Sequence, residues 1–463
     1  KANQLTYQAG FTYAKALSRH NLNVLGLFEA KSNNNSSWGL SRRNYDLYID
    51  EISMGSSNNA DMSTYGSSSS SRQVGLVYRV SYDYERKYLV EASGRYDGHY
   101  YFAPGKRFGF FPAFSVGWRL SEEAFIRDNV KWIQNLKVRA SYGEVGALAG
   151  APFQYLSSYS VLGGIYKFGS DVTTGVQERS EPNKDITWER AKKMDLGVEV
   201  SLWKGLFDME VDYFYEKRSN MLVAPTVITP LEYGIGLSQV NAGVMENRGI
   251  DITANINHSF SSGLHLSLGG TFTYAKNKLL QIFETSSTYD NPNRRQTGRP
   301  LGTQFGLQAV GFFQPEDFEG GVLKTGIASQ PWGQVQPGDI RYKDVNGDGA
   351  INEDDIVVIG YPAAVPLIIY GISPRIAYKN FSLDLFFQGT GKSNFYFSQQ
   401  AAWPFFNGMT AFRDHFDYWT PDNRNAKNPR LTTSPTANNT QFSSFWMKDI
   451  SYLRLKNATF SYV

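Results

Sequence analysis

Polar and apolar residues alternate along most of this chain with a period of two. In "QVGLVYRVSYDY", Val74, Leu76, Tyr78, Val80, Tyr82 and Tyr84 share one parity. Gln73, Gly75, Arg79, Ser81 and Asp83 share the other, with Val77 out of step. "LKVRASYG" sets Leu136, Val138, Ala140 and Tyr142 against Lys137, Arg139 and Ser141. "DLGVEVSLW" sets Leu196, Val198, Val200 and Leu202 against Asp195, Glu199 and Ser201, and "FDMEVDYFYEK" repeats the pattern. Successive strand side chains point to opposite faces, so each run predicts a strand with one apolar and one polar side. Strands of soluble proteins average ~5–6 residues, whereas strands that cross a membrane as a barrel need ~9–11. These runs repeatedly reach the longer figure. A water-soluble sandwich is the competing reading, but Tyr, Trp and Phe gather near the run ends, where a barrel carries its interfacial girdles.

The connections alternate too. "YERK", "WKGL", "FSSG" and "YKNF" are short, and "LSEEAFIRDNVKWIQN" is expected to form a small helix on their side. Between them lie long polar stretches: Ser32 to Ser71, Gly98 to Phe108, Glu144 to Ala191, Ser219 to Ser238 and Gly391 to Met447. Short turns on one rim and long loops on the other fit an outer-membrane barrel. With "FSSG" and "YKNF" on the periplasmic rim, "LHLSLGGTFTYAKN" runs outward and "LIIYGISPRIAYK" runs inward. Everything from Lys278 to Pro366 is therefore expected to begin and end outside, and "TQFGLQAVGFF" is not a lone crossing. The fold class expected is all-β, a large antiparallel transmembrane β-barrel with long extracellular loops. About thirteen such strands are legible. Single-chain bacterial barrels normally have an even number, and the last run, "SYLRLKNATFSYV", stops at Val463. The 463 residues are thus expected to be part of a barrel, 278–366 being a long extracellular excursion.

Composition narrows the function classes. Apolar residues make up 41% and aromatics 15%. Forty-six basic and 43 acidic residues leave a net charge of +3, without a Lys/Arg cluster, so no nucleic-acid footprint exists. There is no cysteine and there are five scattered histidines, which excludes disulfides and thiolate metal sites. No apolar run approaches the ~18 residues of a membrane helix. The chain opens at Lys1 inside a strand-like pattern rather than in a signal segment.

One stretch carries metal chemistry. "YKDVNGDGAINEDDIV" places oxygen donors at the offsets of a twelve-residue calcium loop: Asp344, Asn346, Asp348, the Ala350 carbonyl, Asn352 and Asp355. Gly349 supplies the turn at the sixth position, and Asp355 stands where glutamate is usual. The bland alternative is a metal-free Asp/Asn/Gly turn. A structural calcium ion in the extracellular excursion is expected. "FFQGTGKSNF" imitates a phosphate loop, but Phe386 stands where the first glycine is required and no helix pattern follows. Neither H-E-x-x-H nor G-x-S-x-G occurs. Trp403, Phe405 and Phe406 in "QQAAWPFFNG" are candidate ligand-stacking aromatics, with packing beneath the loop as the alternative.

Six segments in order resemble the SusC/RagA family of TonB-dependent outer-membrane transporters. They are "SGRYDGHYYFAPGKRFGFFPAFSVGWRLSEEAF", "LKVRASYGEVG", "NAGVMENRGIDI", "GDIRYKDVNGDGAINEDDIVVIGYPAAVPLIIYGI", "DYWTPDNRNAKNPRL" and "SYLRLKNATFSY". The resemblance covers most of the chain from about Gly75 onward. It implies a barrel of about 22 strands around a plug, energised by the TonB–ExbB–ExbD complex and capped by a SusD-like surface lipoprotein. It implies import of an oligosaccharide or peptide across the outer membrane of a Gram-negative bacterium, among outer-membrane lipid. The plug, the first strands and the last strands of that pattern are missing here, and the energy-coupling contacts with them. A barrel enzyme, or a structural or accessory surface protein, are the other readings; no catalytic residue set stands out.

Overall fold

The computed structural model describes residues 1–47, 49–226, 230–362 and 365–462; Val463 lies outside them. Thirteen long strands hydrogen-bond in a single sheet, each beside its neighbour in sequence among the thirteen. They are β1 (Ala2–Leu17), β2 (His20–Arg42), β3 (Met62–Tyr84), β4 (Tyr88–His99), β5 (Phe108–Arg119) and β6 (Ile133–Ala147). The series continues with β7 (Glu189–Leu202), β8 (Phe207–Val223), β9 (Val240–Ser259) and β10 (Leu264–Gln281). It ends with β11 (Ile368–Tyr378), β12 (Phe381–Gly391) and β13 (Tyr452–Tyr462).

The period-two runs fall within these strands, and the apolar parity is the uncovered one. Val74, Leu76, Val80 and Tyr82 of β3 are exposed, as are Val90 and Tyr96 of β4 and Phe110, Phe114 and Val116 of β5. So large a bare apolar surface is unsustainable in water but is what hydrocarbon chains cover.

By contact the chain divides into two compact units. In the first (1–120, 138–194 and 218–242), the polar parity carries a charge ladder. Glu29 is 7% exposed and meets Gln8 at 2.7 Å, Lys31 at 2.9 Å and Arg95 at 3.6 Å, and Arg95 in turn meets Asp97 at 2.9 Å. Glu144 pairs with Arg190 at 3.1 Å and Lys192 at 3.6 Å. A small core forms where Trp188 packs on Phe102, Phe111 and Ile186, its indole N–H donating to the Arg107 carbonyl at 3.0 Å. At the short-turn rim, Tyr84, Tyr88 and Trp118 stack in series. In the second unit (121–137, 195–217 and 243–463), Trp132 stacks on Trp203 at 5.9 Å, also beside a short turn.

Two expectations are corrected. The Ser/Asn-rich stretch from Ser32 to Ser71 is not all loop: β2 and β3 stay paired along their full 23 residues, to Arg42 opposite Met62. Rungs such as Ser37–Ser67 (2.8 Å) and Ser41–Ser63 (2.7 Å) join side chains across the ladder, which needs no apolar period. The helix expected in "LSEEAFIRDNVKWIQN" shrinks to Ala124–Arg127 after a 3-10 turn, because β6 claims the chain from Ile133.

Candidate functional site

β10 pairs directly with β11, and β12 with β13. Residues 282–367 and 392–451 are therefore two excursions, both in the second unit, and they fold together. Ala309–Phe312 of "TQFGLQAVGFF" pairs with Ile340–Tyr342 of the same excursion and takes no place in the large sheet. Gln304–Gly306 pairs with Val357–Gly360, and Asn394–Tyr396 pairs with Met447–Asp449. Between the excursions, Leu307 N–H donates to the Phe442 carbonyl and Ser444 N–H to the Leu307 carbonyl, both at 2.9 Å.

A core forms beneath: Leu307, Ile340, Tyr342 and Ile351 from the first excursion meet Ala402 and Trp446 from the second. Around it runs a buried polar network. Asp339, 1% exposed, accepts from Arg430 Nε at 2.7 Å and from Asn439 Nδ2 at 2.9 Å. Asn439 Oδ1 accepts the Ile340 N–H at 2.8 Å, and Asn438 Nδ2 donates to the Ile340 carbonyl at 2.9 Å. Gln330 Oε1 accepts the Tyr342 N–H at 2.8 Å, and the Tyr342 hydroxyl donates to the Asn438 carbonyl at 2.7 Å. Burial pushes the Tyr342 phenol above its usual range and that of Tyr396 up to about 12.

This network gives "WTPDNRNAKNPRL" a physical role. Trp419 is buried against Gly338, where a Cβ would lie 2.3 Å from the ring and φ is +90°. Asn428 Nδ2 donates to the Asp414 and Asp417 carbonyls. Arg424 meets Glu316 at 2.8 Å and holds that carboxyl below its ordinary range. The motif thus fastens the second excursion onto the first. Sequence reasoning missed Asp339, Gln330, Asn438 and Asn439, because partners about ninety to 110 residues apart leave no local pattern.

The calcium-loop residues lie at the edge of this unit and fold on their own N–H groups. Asp344 accepts from Gly347 at 2.6 Å and from Gly349 at 2.9 Å. Asp348 accepts from Ala350 N–H at 2.9 Å and Asn346 Nδ2 at 2.9 Å, and these hold its carboxyl below the usual range. Asn352 Oδ1 caps the following turn at Asp354. Asp355, fully buried, takes the N–H of Val345 at 2.7 Å and of Asn352 at 2.8 Å. Ala350 bridges in parallel to Ser329, and Ile351 enters the core. Among the described residues no three His, Cys, Asp or Glu side chains are grouped so as to hold a metal ion. The donors are nevertheless all oxygen, the set a hard cation takes.

Of the candidate aromatics, Trp403 packs against the shared core and meets Phe406 edge-on at 5.4 Å. Phe405 precedes a tight turn with φ +59°. The false phosphate loop is the end of β12, and its Lys392 ammonium lies 5.6 Å from the centre of the Tyr274 ring.

A family model described as the TonB-dependent receptor-like β-barrel matches residues 2–364. A TonB-dependent receptor of Formosa agariphila is 27% identical over 97% of this chain and 44% of its own length. The TonB-dependent receptor SusC of Bacteroides thetaiotaomicron is 24% identical over 66% of this chain and 30% of its own. The chain thus spans less than half the length of these curated relatives. Among solved structures, a chain of the RagAB peptide transporter superposes on the whole of this chain and 49% of its own, with a TM-score of 0.77 at 18% identity.

Proposed function

The chain belongs to the TonB-dependent receptor-like β-barrel family of the outer membrane, and on that premise we propose that it forms part of an energised importer of oligomeric nutrients, an oligosaccharide or a peptide. The observation that carries this reading is the sheet itself, thirteen strands with one parity bare and apolar and the other laced with ion pairs. Relatives in this family are receptors and transporters, not enzymes. Similarity to SusC and to RagAB supports a SusD-like lipoprotein as the lid, with TonB, ExbB and ExbD supplying energy. In cells carrying the intact gene, uptake of one oligomeric nutrient should vanish on deletion of the gene and again on removal of TonB. Uptake that survives collapse of the proton-motive force would instead mean a passive pore.

The loop of Asp344, Asn346, Asp348, Ala350, Asn352 and Asp355 is, in the same proposal, a structural calcium site on the extracellular side. Its six oxygen donors support this. The loop's own residues do the rest: Asp355 ties positions 345 and 352 together, and Ile351 anchors it in the core. Chelator treatment of the intact protein should speed protease cleavage within 278–366, and Asp344→Ala with Asp348→Ala should do the same without chelator. Unchanged cleavage in both would leave only a self-capped turn.

A further inference from the structure

The apolar parity that faces lipid changes character toward one end of three neighbouring strands. On β9 it reads Ile256, Ala254, Ile252 and Ile250, then Arg248. On β10 it reads Leu266, Leu268, Gly270, Phe272 and Tyr274, then Lys276 and Lys278. On β8, Tyr213 and Tyr215 give way to Lys217. Ile256, Leu268, Phe272 and Tyr213 are exposed on this face, and so are the four cations. Counted from the short-turn rim, Lys217 is ten residues past Phe207, Arg248 eleven before Ser259 and Lys276 twelve past Leu264. A strand crosses the membrane in ~9–11 residues. The cations therefore stand where these strands leave the hydrocarbon, just above a row of tyrosines. Short turns of such barrels face the periplasm, so this edge meets the outer leaflet.

What separates this edge from ordinary charged surface is its register and its side of the sheet. Arg248 lies directly opposite Lys276 in the β9–β10 ladder, and like charges so placed destabilise a sheet. From the end of β12, the Lys392 ammonium comes to 5.6 Å from the centre of the Tyr274 ring and adds to the same sign. Glu246, opposite Lys278, is the one carboxylate on the outward parity of β8, β9 and β10, and it accepts from the Tyr215 hydroxyl at 3.4 Å. On the polar parity such cations would face the barrel interior; on this parity they continue the lipid-covered surface. An apolar floor, an aromatic edge and then a row of cations complement a lipid whose acyl chains end in an anionic headgroup. A free anion would use the cations and leave the floor idle. A zwitterionic lipid would bring its own cation to a site already crowded with them.

We propose that this edge of the β8–β10 face binds one phosphorylated glycolipid of the outer leaflet, its phosphate between Arg248 and Lys276 and its acyl chains on Ile250, Ile252 and Phe272. The site is independent of what the barrel imports. The test uses the full-length protein purified in mild detergent, with bound lipid counted by native mass spectrometry. The probe is lipid A, an acylated and phosphorylated glucosamine disaccharide, with its dephosphorylated form and inorganic phosphate beside it. Lipid A should bind, loss of its phosphates should weaken it about tenfold or more, and Arg248→Gln with Lys276→Gln should cost a similar factor. Arg248→Lys with Lys276→Arg should keep binding, which separates lost charge from a disturbed ladder. Lys379→Gln removes another cation beside a tyrosine ring, but on the short-turn rim, and should bind as the unaltered protein does. Equal binding of the dephosphorylated lipid, an unaffected double Gln variant, or an equal loss in Lys379→Gln would each overturn the proposal. Displacement of the lipid by millimolar inorganic phosphate would overturn it too, by revealing a free-anion site.

Discussion

Gly338 shows how one residue can hold two excursions together. Its φ of +90° and the Trp419 ring, 2.3 Å from where a Cβ would sit, both demand glycine. Gly338→Ala should cost about 2–5 kcal/mol, the left-handed backbone adding ~1–2 and the overpacking ~1–3. Limited proteolysis of 282–367 would report it; an unchanged cleavage rate would mean the ring has room to move. Arg430→Met attacks the same joint differently, stranding the buried Asp339 carboxylate, a loss of about 3–5 kcal/mol. Asp348 makes the loop sensitive to pH. Its folded carboxyl lies below the ordinary value, chiefly through the Ala350 N–H. Loop order drawn from it is therefore fully present above the ordinary carboxylate range and lost as pH falls through the lower folded value. Protease sensitivity of the loop should rise only in that acid window.

Individual strands were legible where one face is lipid-bound and the other polar. Val198, 38% exposed, lies five residues before the Trp203 turn on β7, roughly halfway across the ~25 Å apolar band. Val198→Arg should cost about 2–4 kcal/mol there, measured by unfolding in lipid vesicles, while the same change at Glu199, on the opposite, polar face where its pair with Lys137 is part-exposed, should be much milder. Equal costs would undo the assignment of faces. The signal failed at the tops of β2 and β3, where serine and asparagine serve both faces and no period remains. Nearly identical rungs also specify register poorly, so that upper ladder takes its alignment from Phe28 opposite Leu76 and the rungs around it. The glycine-rich end of β12 and the lone calcium-type loop were readable as motifs. The buried network around Asp339 was not, because Arg430, Asn438 and Asn439 lie about ninety to 110 residues away in the chain.

For the molecule as a whole, the sheet order accounts for the lengths of the connections. Placing "TQFGLQAVGFF" outside the large sheet followed from counting crossings, and the pairing of β10 with β11 has the same consequence. What counting could not reach is that the two excursions are halves of one folded body. Ala309 N–H waits for the Ser444 hydroxyl, 135 residues later, and Ile340 waits for Asn438 and Asn439. Contacts of such sequence separation form late, because loop closure must precede their reward. During biogenesis the first excursion therefore spends its early life with Phe312, Ile340 and Tyr342 unsheltered, prone to sticking to other chains. Maturation of this two-part body is a timing problem as much as a packing one.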